Sequence, residues 1–286
     1  MKILVLGASG MLGYAIHRCL KDSGIDVIGA VRGGSHRLPS DLNYIETPDG
    51  LNFGAYFDVV DAAGADVVIN ALGVIKQNRE AEDVLNLFNL NARFPLMLSR
   101  HLNASGVKLI HFSTDCVFSG VKGNYSESDQ PDPKDAYGLS KLLGEANCGG
   151  ALTLRTSIIG QGLVPNHSLV DWFLSQSGTV RGFRRAIFSG LPVNAIGNFV
   201  SEYLPKLINL SGIYHISTDP IDKYSLLNLL KVAYDKFDVD ICREESFEIN
   251  RSLNSERLRE LTGWSSAPWP ELVKSMHLFY AKKNVL

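Results

Sequence analysis

Hydrophobic residues in the first half of the chain occur in short continuous runs that alternate with stretches of helical periodicity. The run from Lys2 to Gly7 has the length of a strand, and Met11 to Lys21 places its apolar residues on one helix face. Continuous apolar runs are typical of parallel strands that are covered on both faces. The same pattern predicts further strands at Asp26–Arg32, Asn43–Glu46, Asp66–Ala71, Val107–Phe112 and Ala151–Thr156.

Helical periodicity fills the segments between these strands. Helices are predicted around Ala55–Ala63, at Ala81–Leu102 and at Ala136–Asn147. Strands that alternate with helices connect most simply as right-handed crossovers between parallel strands. The pattern therefore predicts an α/β fold with a doubly wound parallel sheet of the Rossmann type.

The alternation weakens after Ser157 and later returns. A helix is predicted at Leu169–Ser175, and Ala195–Leu207 with Gly212–Ser217 resembles one more helix and strand of the sheet. From Tyr224 onward the pattern is mostly helical. We therefore predict a larger domain formed by residues 1–157 and 193–217, and a smaller, discontinuous C-terminal domain formed by residues 158–192 and 218–286.

Composition narrows the class of protein. The chain has 286 residues and a formal charge of −2, with 45% hydrophobic and 20% charged residues, as in ordinary globular proteins. Because it has no block of basic residues, we expect neither nucleic-acid nor membrane partners. No apolar run approaches 18 residues, no signal peptide is evident, and the four cysteines form no CxxC pair, so we expect a cytoplasmic protein with free thiols. No histidine or cysteine spacing suggests a metal site.

A glycine-rich segment follows the first strand and opens the first helix. Its glycines have the spacing GxxGxxG, which allows a tight turn, a close approach of the backbone to a diphosphate, and close packing of helix on strand. The N-terminus of the helix also attracts an anion. The segment predicts a dinucleotide site, with cofactor contacts from Gly7, Ser9, Gly10, Met11, Leu12 and Gly13.

The end of the second strand distinguishes the two nicotinamide cofactors. An acidic residue there would bind the ribose 2′-hydroxyl, whereas a cation would bind a 2′-phosphate. The chain has Arg32 and no acid at this point, which favours NADP(H); a solvated surface arginine is the alternative. After the fourth strand, the small residues Ala71, Leu72 and Gly73 are expected to pass along the cofactor.

Tyr137 and Lys141 are four residues apart and lie on one face of a predicted helix. An ammonium beside a phenol favours the phenolate, so we expect Lys141 to lower the pKa of Tyr137 and make it a general acid for a carbonyl under reduction. Many exposed helices carry such a pair by chance. Thr114, at the end of the fifth strand, adds a hydroxyl for a substrate oxygen, although it could also be a capping residue.

Four motifs in this order resemble those of the extended short-chain dehydrogenase/reductases, and within them the dTDP-4-dehydrorhamnose reductase family. They are the glycine segment from Gly7, the Ser-Thr-Asp-Cys-Val-Phe segment from Ser113, Tyr137-x-x-x-Lys141 followed by Gly144-Glu145, and Leu154-Arg155-Thr156-Ser157. The resemblance covers residues 1–157. Where the family usually has a tyrosine, this chain has Cys116, which suggests a neighbouring branch with a different sugar.

The resemblance implies an NADPH-dependent reduction of a 4-keto group on a nucleotide-linked deoxysugar. It implies that Tyr137 donates the proton, that Lys141 tunes it and holds the nicotinamide ribose, and that Thr114 binds the carbonyl. Asn91 would support the active site and is included among the cofactor residues. The substrate is expected at Asp115, Cys116, Val117 and Arg184. Guanidinium chemistry would let Arg184 clamp the diphosphate together with Arg181 and Arg185, and a solvated loop is the equal alternative. By the same resemblance the larger domain would bind NADP(H), the smaller one would bind the substrate, and the assembly would be a homodimer.

Two other functions stay open at this point. An epimerase of the same superfamily could use the same tyrosine and lysine while keeping its cofactor bound; a dehydratase is disfavoured because Cys116 replaces the second carboxylate. A regulatory binding subunit without turnover, such as the beta subunit of methionine adenosyltransferase, resembles these reductases as well.

Overall fold

A computed structural model describes residues 1–32, 39–48, 52–74, 81–146, 149–162 and 168–281. Its main sheet has seven parallel strands in the order β3-β2-β1-β4-β5-β6-β11. These strands are β1 (Lys2–Leu6), β2 (Asp26–Arg32), β3 (Tyr44–Thr47), β4 (Val67–Asn70), β5 (Lys108–Thr114), β6 (Leu152–Thr156) and β11 (Gly212–His215). The predicted Rossmann-type fold is confirmed.

Helices cover both faces of this sheet. In chain order the described helices are α1 (Met11–Asp22), α2 (Phe53–Ala63), α3 (Ala81–Phe88), α4 (Phe94–Ser105), α5 (Ala136–Leu143), α6 (Leu169–Ser175), α7 (Val193–Leu207), α8 (Lys223–Ala233), α9 (Glu256–Thr262) and α10 (Trp269–Ala281). Strand β1 shows how the faces divide. Ile3 and Val5 belong to one core cluster, with residues of α1 and α7, whereas Leu4 and Leu6 belong to another, with residues of α2 and α4.

The strand order reverses between β1 and β4, which are adjacent in the sheet although β2 and β3 lie between them in sequence. Crossovers leave the sheet in opposite directions at such a point, and a crevice opens at the carboxyl ends of the strands. The glycine segment follows β1, and residues 71–74 follow β4, so both border this crevice.

Two predicted helices differ from the observed ones. The stretch Ala81–Leu102 is interrupted by a π-helical turn at Asn89–Arg93, and the helix then continues to Ser105. The predicted helix Ala136–Asn147 ends at Leu143, and residue 147 lies outside the described residues. Gly144, the C-cap residue, lies against the π-helical turn, where a Cβ would be 1.8 Å from the Asn91 carbonyl oxygen, so only glycine fits at this helix end.

The hydrophobic pattern of the sequence did not predict several short strands. They are β7 (Ile158–Ile159), β8 (Gly178–Phe183), β9 (Ala186–Phe188), β10 (Leu191–Pro192), β12 (Ile221–Asp222), β13 (Val239–Glu244) and β14 (Ile249–Asn250). They pair as β7 with β10, β8 with β13, and β12-β9-β14. Because β13 is largely exposed and carries polar residues on both faces, it has no apolar alternation that would reveal it. The predicted division into two domains stays a prediction; all strands of the main sheet fall within its larger part.

Candidate active site

The glycine segment forms a tight loop between β1 and α1. Gly7 has a φ of +78°, and its carbonyl accepts a hydrogen bond from the Gly10 amide at 2.8 Å. A Cβ on Gly13 would lie 2.2 Å from the Gly7 carbonyl oxygen, so only glycine lets the first turn of α1 pack on this loop. Ser9 and Gly10 are exposed, and Met11 and Leu12 are partly exposed.

The start of α1 has the features of an anion site. Gly10 is the N-cap and supplies no side-chain hydrogen bond to the free amides of the first turn. These amides and the positive end of the helix dipole are what a diphosphate requires. The loop therefore fits a dinucleotide.

The remaining predicted cofactor residues lie at the same edge of the sheet. Arg32 is exposed at the carboxyl end of β2. Ala71 and Leu72 are partly exposed and Gly73 is exposed after β4, and the Leu72 amide is held by the Asn70 side chain at 3.1 Å.

The Asn91 side chain holds the loop after β4 through hydrogen bonds to its backbone. Its Oδ1 accepts from the Val74 amide at 2.9 Å, and its Nδ2 donates to the Val74 carbonyl at 3.0 Å and to Ser140 Oγ at 3.1 Å. Asn91 is fully buried and its amide group is occupied by these bonds, so its side chain fixes the loop after β4. Its place among the cofactor residues stays a prediction. The π-helical turn, which aims Asn91 at both partners, is a feature often found at functional sites.

Thr114, Tyr137 and Lys141 come together where β5 ends. Thr114 is close enough to the Tyr137 hydroxyl to act on its pKa, and Lys141 Nζ donates to the Phe112 carbonyl at 2.6 Å. Helix α5 begins at an N-cap, Asp135, whose Oδ1 accepts from the Gly138 amide at 2.8 Å. A Cβ on Gly138 would lie 2.2 Å from the Cys116 carbonyl, so this glycine allows α5 to lie against the turn after β5.

Burial is the largest influence on the electrostatics of this trio. It raises the pKa of Tyr137, the charges of Cys116 and Asp115 raise it further, and Thr114 opposes them. The Lys141 ammonium donates to the Phe112 carbonyl, and its expected effect on the pKa of Tyr137 stays a prediction. Burial lowers the pKa of Lys141 to about 8, and Glu145 opposes that shift.

A buried ion pair ties α5 to the sheet beneath the trio. Glu145 accepts from Arg155 Nε and Nη2, both at 2.7 Å, and from Ser113 Oγ at 2.8 Å. Arg155 Nη1 also lies 3.4 Å from His215 Nε2. Since Ser113 precedes Thr114 and Glu145 lies four residues beyond Lys141, the pair fixes the end of α5 against the end of β5. The sequence motifs contain Glu145 and Arg155, but nothing local indicates that they pair.

The predicted substrate residues divide into two groups. Asp115 is buried beside Thr114, whose Oγ1 donates to it at 3.2 Å, and Cys116 is partly exposed. Val117 is fully buried in a cluster with Phe118, Tyr125 and Leu253. Its side chain is part of a core, and its expected substrate contact stays a prediction.

Arg184 lies on the smaller part of the molecule. Its guanidinium is 3.7 Å from Asp222 and stacks over the Tyr224 ring at 5.7 Å from the centroid. It is exposed, so its role as a diphosphate clamp stays a prediction.

Two cations that the sequence pattern did not single out also face the Thr114 turn. Arg251 Nη1 donates to Cys116 Sγ at 3.4 Å and its Nε donates to the Phe118 carbonyl at 3.0 Å. Both Arg251 and Lys223 act on the pKa of Asp115, which burial raises and these two charges lower. Lys223 opens α8 and Arg251 follows β14, more than 100 residues beyond Asp115, so no local motif connects them to it.

The family model described as RmlD substrate binding domain matches residues 1–224 of the chain. The chain belongs to this family. The match confirms the resemblance to the dTDP-4-dehydrorhamnose reductases, and it covers the main sheet, the glycine loop and the trio at the end of β5.

Two curated relatives of this RmlD family member carry different names. A dTDP-4-dehydrorhamnose reductase of Burkholderia thailandensis is 35% identical over 162 residues, which are 55% of this chain and 50% of that protein. The methionine adenosyltransferase 2 subunit beta of Danio rerio is 32% identical over 167 residues, 55% of this chain and 48% of that protein. The chain thus spans about half the length of these two relatives.

A solved structure extends the likeness over the whole fold. The dTDP-4-dehydrorhamnose reductase of Bacillus anthracis, in complex with NADP, superposes with a TM-score of 0.80 and covers 97% of this chain and 99% of its own, at 18% identity. At that identity the likeness concerns the fold. None of the described helices is long and apolar enough to cross a membrane, and within the described ranges no three His, Cys, Asp or Glu side chains group as metal ligands.

Proposed function

We propose that the chain is an NADPH-dependent reductase of a 4-keto group on a nucleotide-linked deoxysugar. The observation that carries this proposal is the trio at the end of β5, where Thr114 is close enough to Tyr137 to act on its pKa and Lys141 lies one helical turn from Tyr137 on α5. The trio borders the same crevice as the glycine loop. A carbonyl placed there has two hydroxyl groups for its oxygen.

Tyr137 is the general acid. Its raised pKa keeps the phenol protonated throughout the neutral range, so the proton is present when a substrate oxygen becomes negative during reduction. Thr114 holds the same oxygen, which requires its hydroxyl to turn from Asp115 towards the substrate. Lys141, with a pKa of about 8, is mostly charged at pH 7 and stabilises the negative charge that develops near it.

The residues around the crevice fit a dinucleotide phosphate. NADPH, when bound, supplies the hydride. The first-turn amides of α1 would hold its diphosphate, Arg32 would hold the 2′-phosphate, and residues 71–73 would line one side. The names of the Burkholderia thailandensis and Bacillus anthracis proteins, and the NADP in the latter structure, support this assignment.

The test is the oxidation of NADPH by the protein with a panel of 4-keto nucleotide sugars, measured by absorbance. We expect Tyr137→Phe to lower kcat by roughly 100- to 10,000-fold, the usual contribution of a positioned acid. Tyr234→Phe is the matched control, since its buried hydroxyl has no hydrogen-bond partner. Equal rates for Tyr137→Phe and the wild type would refute the acid assignment.

A regulatory subunit without turnover is the second candidate, and the likeness to the subunit beta of Danio rerio favours it. It predicts a stoichiometric protein partner in pull-down experiments and no NADPH oxidation with any member of the panel. The assembled trio favours the reductase, because a purely binding protein has no need for a buried lysine one helical turn from a phenol at the end of β5.

We also propose that the protein is a cytoplasmic homodimer. Leu85 on α3 and Leu139 and Leu143 on α5 are 71%, 41% and 52% exposed on helices that contact each other, and a second copy could cover them. No disulfide joins the described cysteines, as a reducing compartment would allow. Light scattering should give a dimer that Leu139→Glu dissociates; a wild-type monomer would contradict this.

A further inference from the structure

The loop after β4, residues 71–74, is held by two buried side-chain amides. At its far end, Asn91 bonds both the amide and the carbonyl of Val74. At its near end, Asn70 Oδ1 accepts from the Leu72 amide at 3.1 Å. The Asn70 amide group needs a partner that fixes its orientation, because a flipped group would turn its NH₂ towards the Leu72 amide.

His111 is that partner. It lies on the neighbouring strand β5 in register with Asn70, and both side chains are fully buried. Asn70 Nδ2 is 3.2 Å from His111 Nδ1. Because the Leu72 amide can only donate, it meets Oδ1 of Asn70, and Nδ2 is left to donate to the imidazole. His111 Nδ1 is therefore the acceptor, and the ring proton is on Nε2.

This arrangement leaves the imidazole only half satisfied. His111 Nε2 is buried and has no hydrogen-bond partner among the described residues, which is destabilising for an N–H group. Burial, together with the charge of Lys141, lowers the pKa of His111 well below its ordinary value, so the ring is neutral and Nδ1 can always accept. An apolar residue would avoid the unpaired N–H. The bond to Asn70 is thus what the histidine contributes at this position.

The Leu72 amide lies where the loop after β4 touches the glycine loop. A Cβ on Gly7 would be 3.1 Å from the Leu72 nitrogen and 3.1 Å from the Ala71 carbonyl carbon, so the two backbones are in close contact. A shift of the Leu72 amide therefore moves one proposed wall of the cofactor site against the other.

We infer that His111 is a positioning residue for the dinucleotide and acts through Asn70 and the Leu72 amide. Its side chain is fully buried and bonds Asn70, so it acts on the crevice through another residue and is not itself a catalytic group. The inference rests on the proposed function, because residues 71–73 must line the cofactor. It makes the affinity for NADPH depend on a histidine in the strand next to β4.

Fluorescence titration with NADPH tests this on the full chain, beside steady-state kinetics with a 4-keto nucleotide sugar. We expect His111→Leu to raise the Kd for NADPH about fivefold, the scale of one neutral hydrogen bond, and to change kcat at saturating NADPH by less than about twofold. His111→Asn, which offers an amide oxygen in place of Nδ1, should keep most of the affinity. His111→Val takes the place of His111→Leu if the leucine variant does not fold.

Thr153→Val is the matched control. Thr153 is fully buried in β6, in register with His111 on the side away from Asn70, and its hydroxyl donates to the Ala146 carbonyl at 2.6 Å. Removing this hydroxyl deletes a buried hydrogen bond at the same level of the sheet. The Kd for NADPH should stay unchanged, because the control variant leaves the bonds of Asn70 intact.

A double variant separates action through Asn70 from a general effect on the fold. Asn70→Leu should raise the Kd for NADPH about tenfold, because the Leu72 amide loses its acceptor. Adding His111→Leu should weaken binding no further, since the imidazole then has no amide to orient. A combined loss of about fiftyfold, the product of the two single effects, would overturn the inference.

A wild-type Kd in His111→Leu, or an equal loss in Thr153→Val, would also overturn it. The proposed reduction is judged separately, by NADPH oxidation in the wild type. If the variants bind NADPH as expected but no sugar is reduced, the role of His111 stands and the reductase does not. If the wild type reduces a sugar while His111→Leu binds NADPH normally, the reverse holds. A wild type that binds no NADPH would contradict both.

Discussion

The two sides of the crevice are built differently. On the side of the main sheet, Thr114 and Lys141 are each only 6% exposed, and the buried Glu145–Arg155 pair holds their elements together. On the opposite side, Lys223, Arg251 and Arg184 are more accessible. Arg251 makes two hydrogen bonds, Lys223 lies over a ring, and Arg184 has an ion pair at 3.7 Å. The residues proposed for catalysis are thus buried and fixed by an ion pair, whereas the cations on the opposite side are more exposed.

This contrast has an energetic side. A buried lysine and a buried ion pair are costly to desolvate, and they persist where the geometry must be held to a fraction of an ångström. The desolvation of a cation at a partly exposed wall costs less free energy, and a ligand can contact such a cation from the solvent side. The predictions below test the contrast, beginning with the largest effect.

Removing the buried ammonium should cost activity and add stability. Lys141→Met should lower kcat by about 100-fold or more, because a cation beside the developing charge is lost. It should also raise the free energy of unfolding at pH 7, by at most roughly 3 kcal/mol, because burial lowers the pKa of Lys141 to about 8. Urea denaturation and steady-state kinetics measure the two effects.

The sign of the pH dependence follows from the direction of that shift. Between pH 8 and 10.5 the unfolded chain holds the Lys141 proton and the folded protein does not, so the wild type gains stability relative to Lys141→Met across this range. Lys134→Met, at an exposed lysine, should show neither effect. The account is contradicted if Lys141→Met is less stable than the wild type at pH 7 and the difference in the free energy of unfolding is the same at pH 10. The buried ammonium would then carry no desolvation cost.

Breaking the buried ion pair should have the next largest effect. Arg155→Met leaves the Glu145 carboxylate buried without its cation and should lower the free energy of unfolding by about 3–5 kcal/mol. Adding Glu145→Gln should recover most of this loss. The exposed pair of Arg185 with Glu248 is the matched control, and Arg185→Met should cost about 0.5 kcal/mol or less.

These variants are compared by chemical denaturation at pH 7. If the double variant is as unstable as Arg155→Met alone, the buried charge is not the cause of the loss. If Arg185→Met lowers the free energy of unfolding as much as Arg155→Met does, the proposed difference between the buried pair and the exposed pair is wrong.

The smallest effect is expected at the edge of the cofactor site. Arg32→Ala should raise the KM for NADPH about fivefold and leave the KM for NADH unchanged, because an exposed ion pair contributes up to about 1 kcal/mol. The difference should shrink at high salt. Initial rates with both cofactors provide the measurement, and an equal change in both KM values would remove Arg32 from the 2′-phosphate site.

The two sides of the crevice also differ in what the sequence could reveal. The glycine loop, Thr114, Tyr137 and Lys141 lie in short motifs attached to strands and helices with strong periodicity, so their meeting follows from the order of the elements. Lys223 and Arg251 reach the same crevice through α8 and the segment after β14, and their approach depends on how short, polar strands pair. Such pairing leaves no periodic signal.

Local packing explains the remaining differences. Periodicity predicted one helix over Ala81–Leu102, but a π-helical turn interrupts it. In this turn Asn91 bonds both Val74 and Ser140, which lie far apart in the sequence. The pKa of Tyr137 was predicted from spacing on a helix alone, whereas the orientation of Lys141 depends on a carbonyl in β5. Val117 belongs to a core that forms only when Leu253, far along the chain, packs against it.

The most direct test of the whole account follows hydride from cofactor to sugar. The protein is supplied with NADPH deuterated at one or the other C4 position, and the product of a 4-keto nucleotide sugar is analysed by mass spectrometry. We predict that one of the two labelled cofactors transfers a single deuterium to the sugar and that NADP⁺ accumulates in equal amount. A product without deuterium from either cofactor, or a sugar that is converted while NADPH is not consumed, would contradict the account.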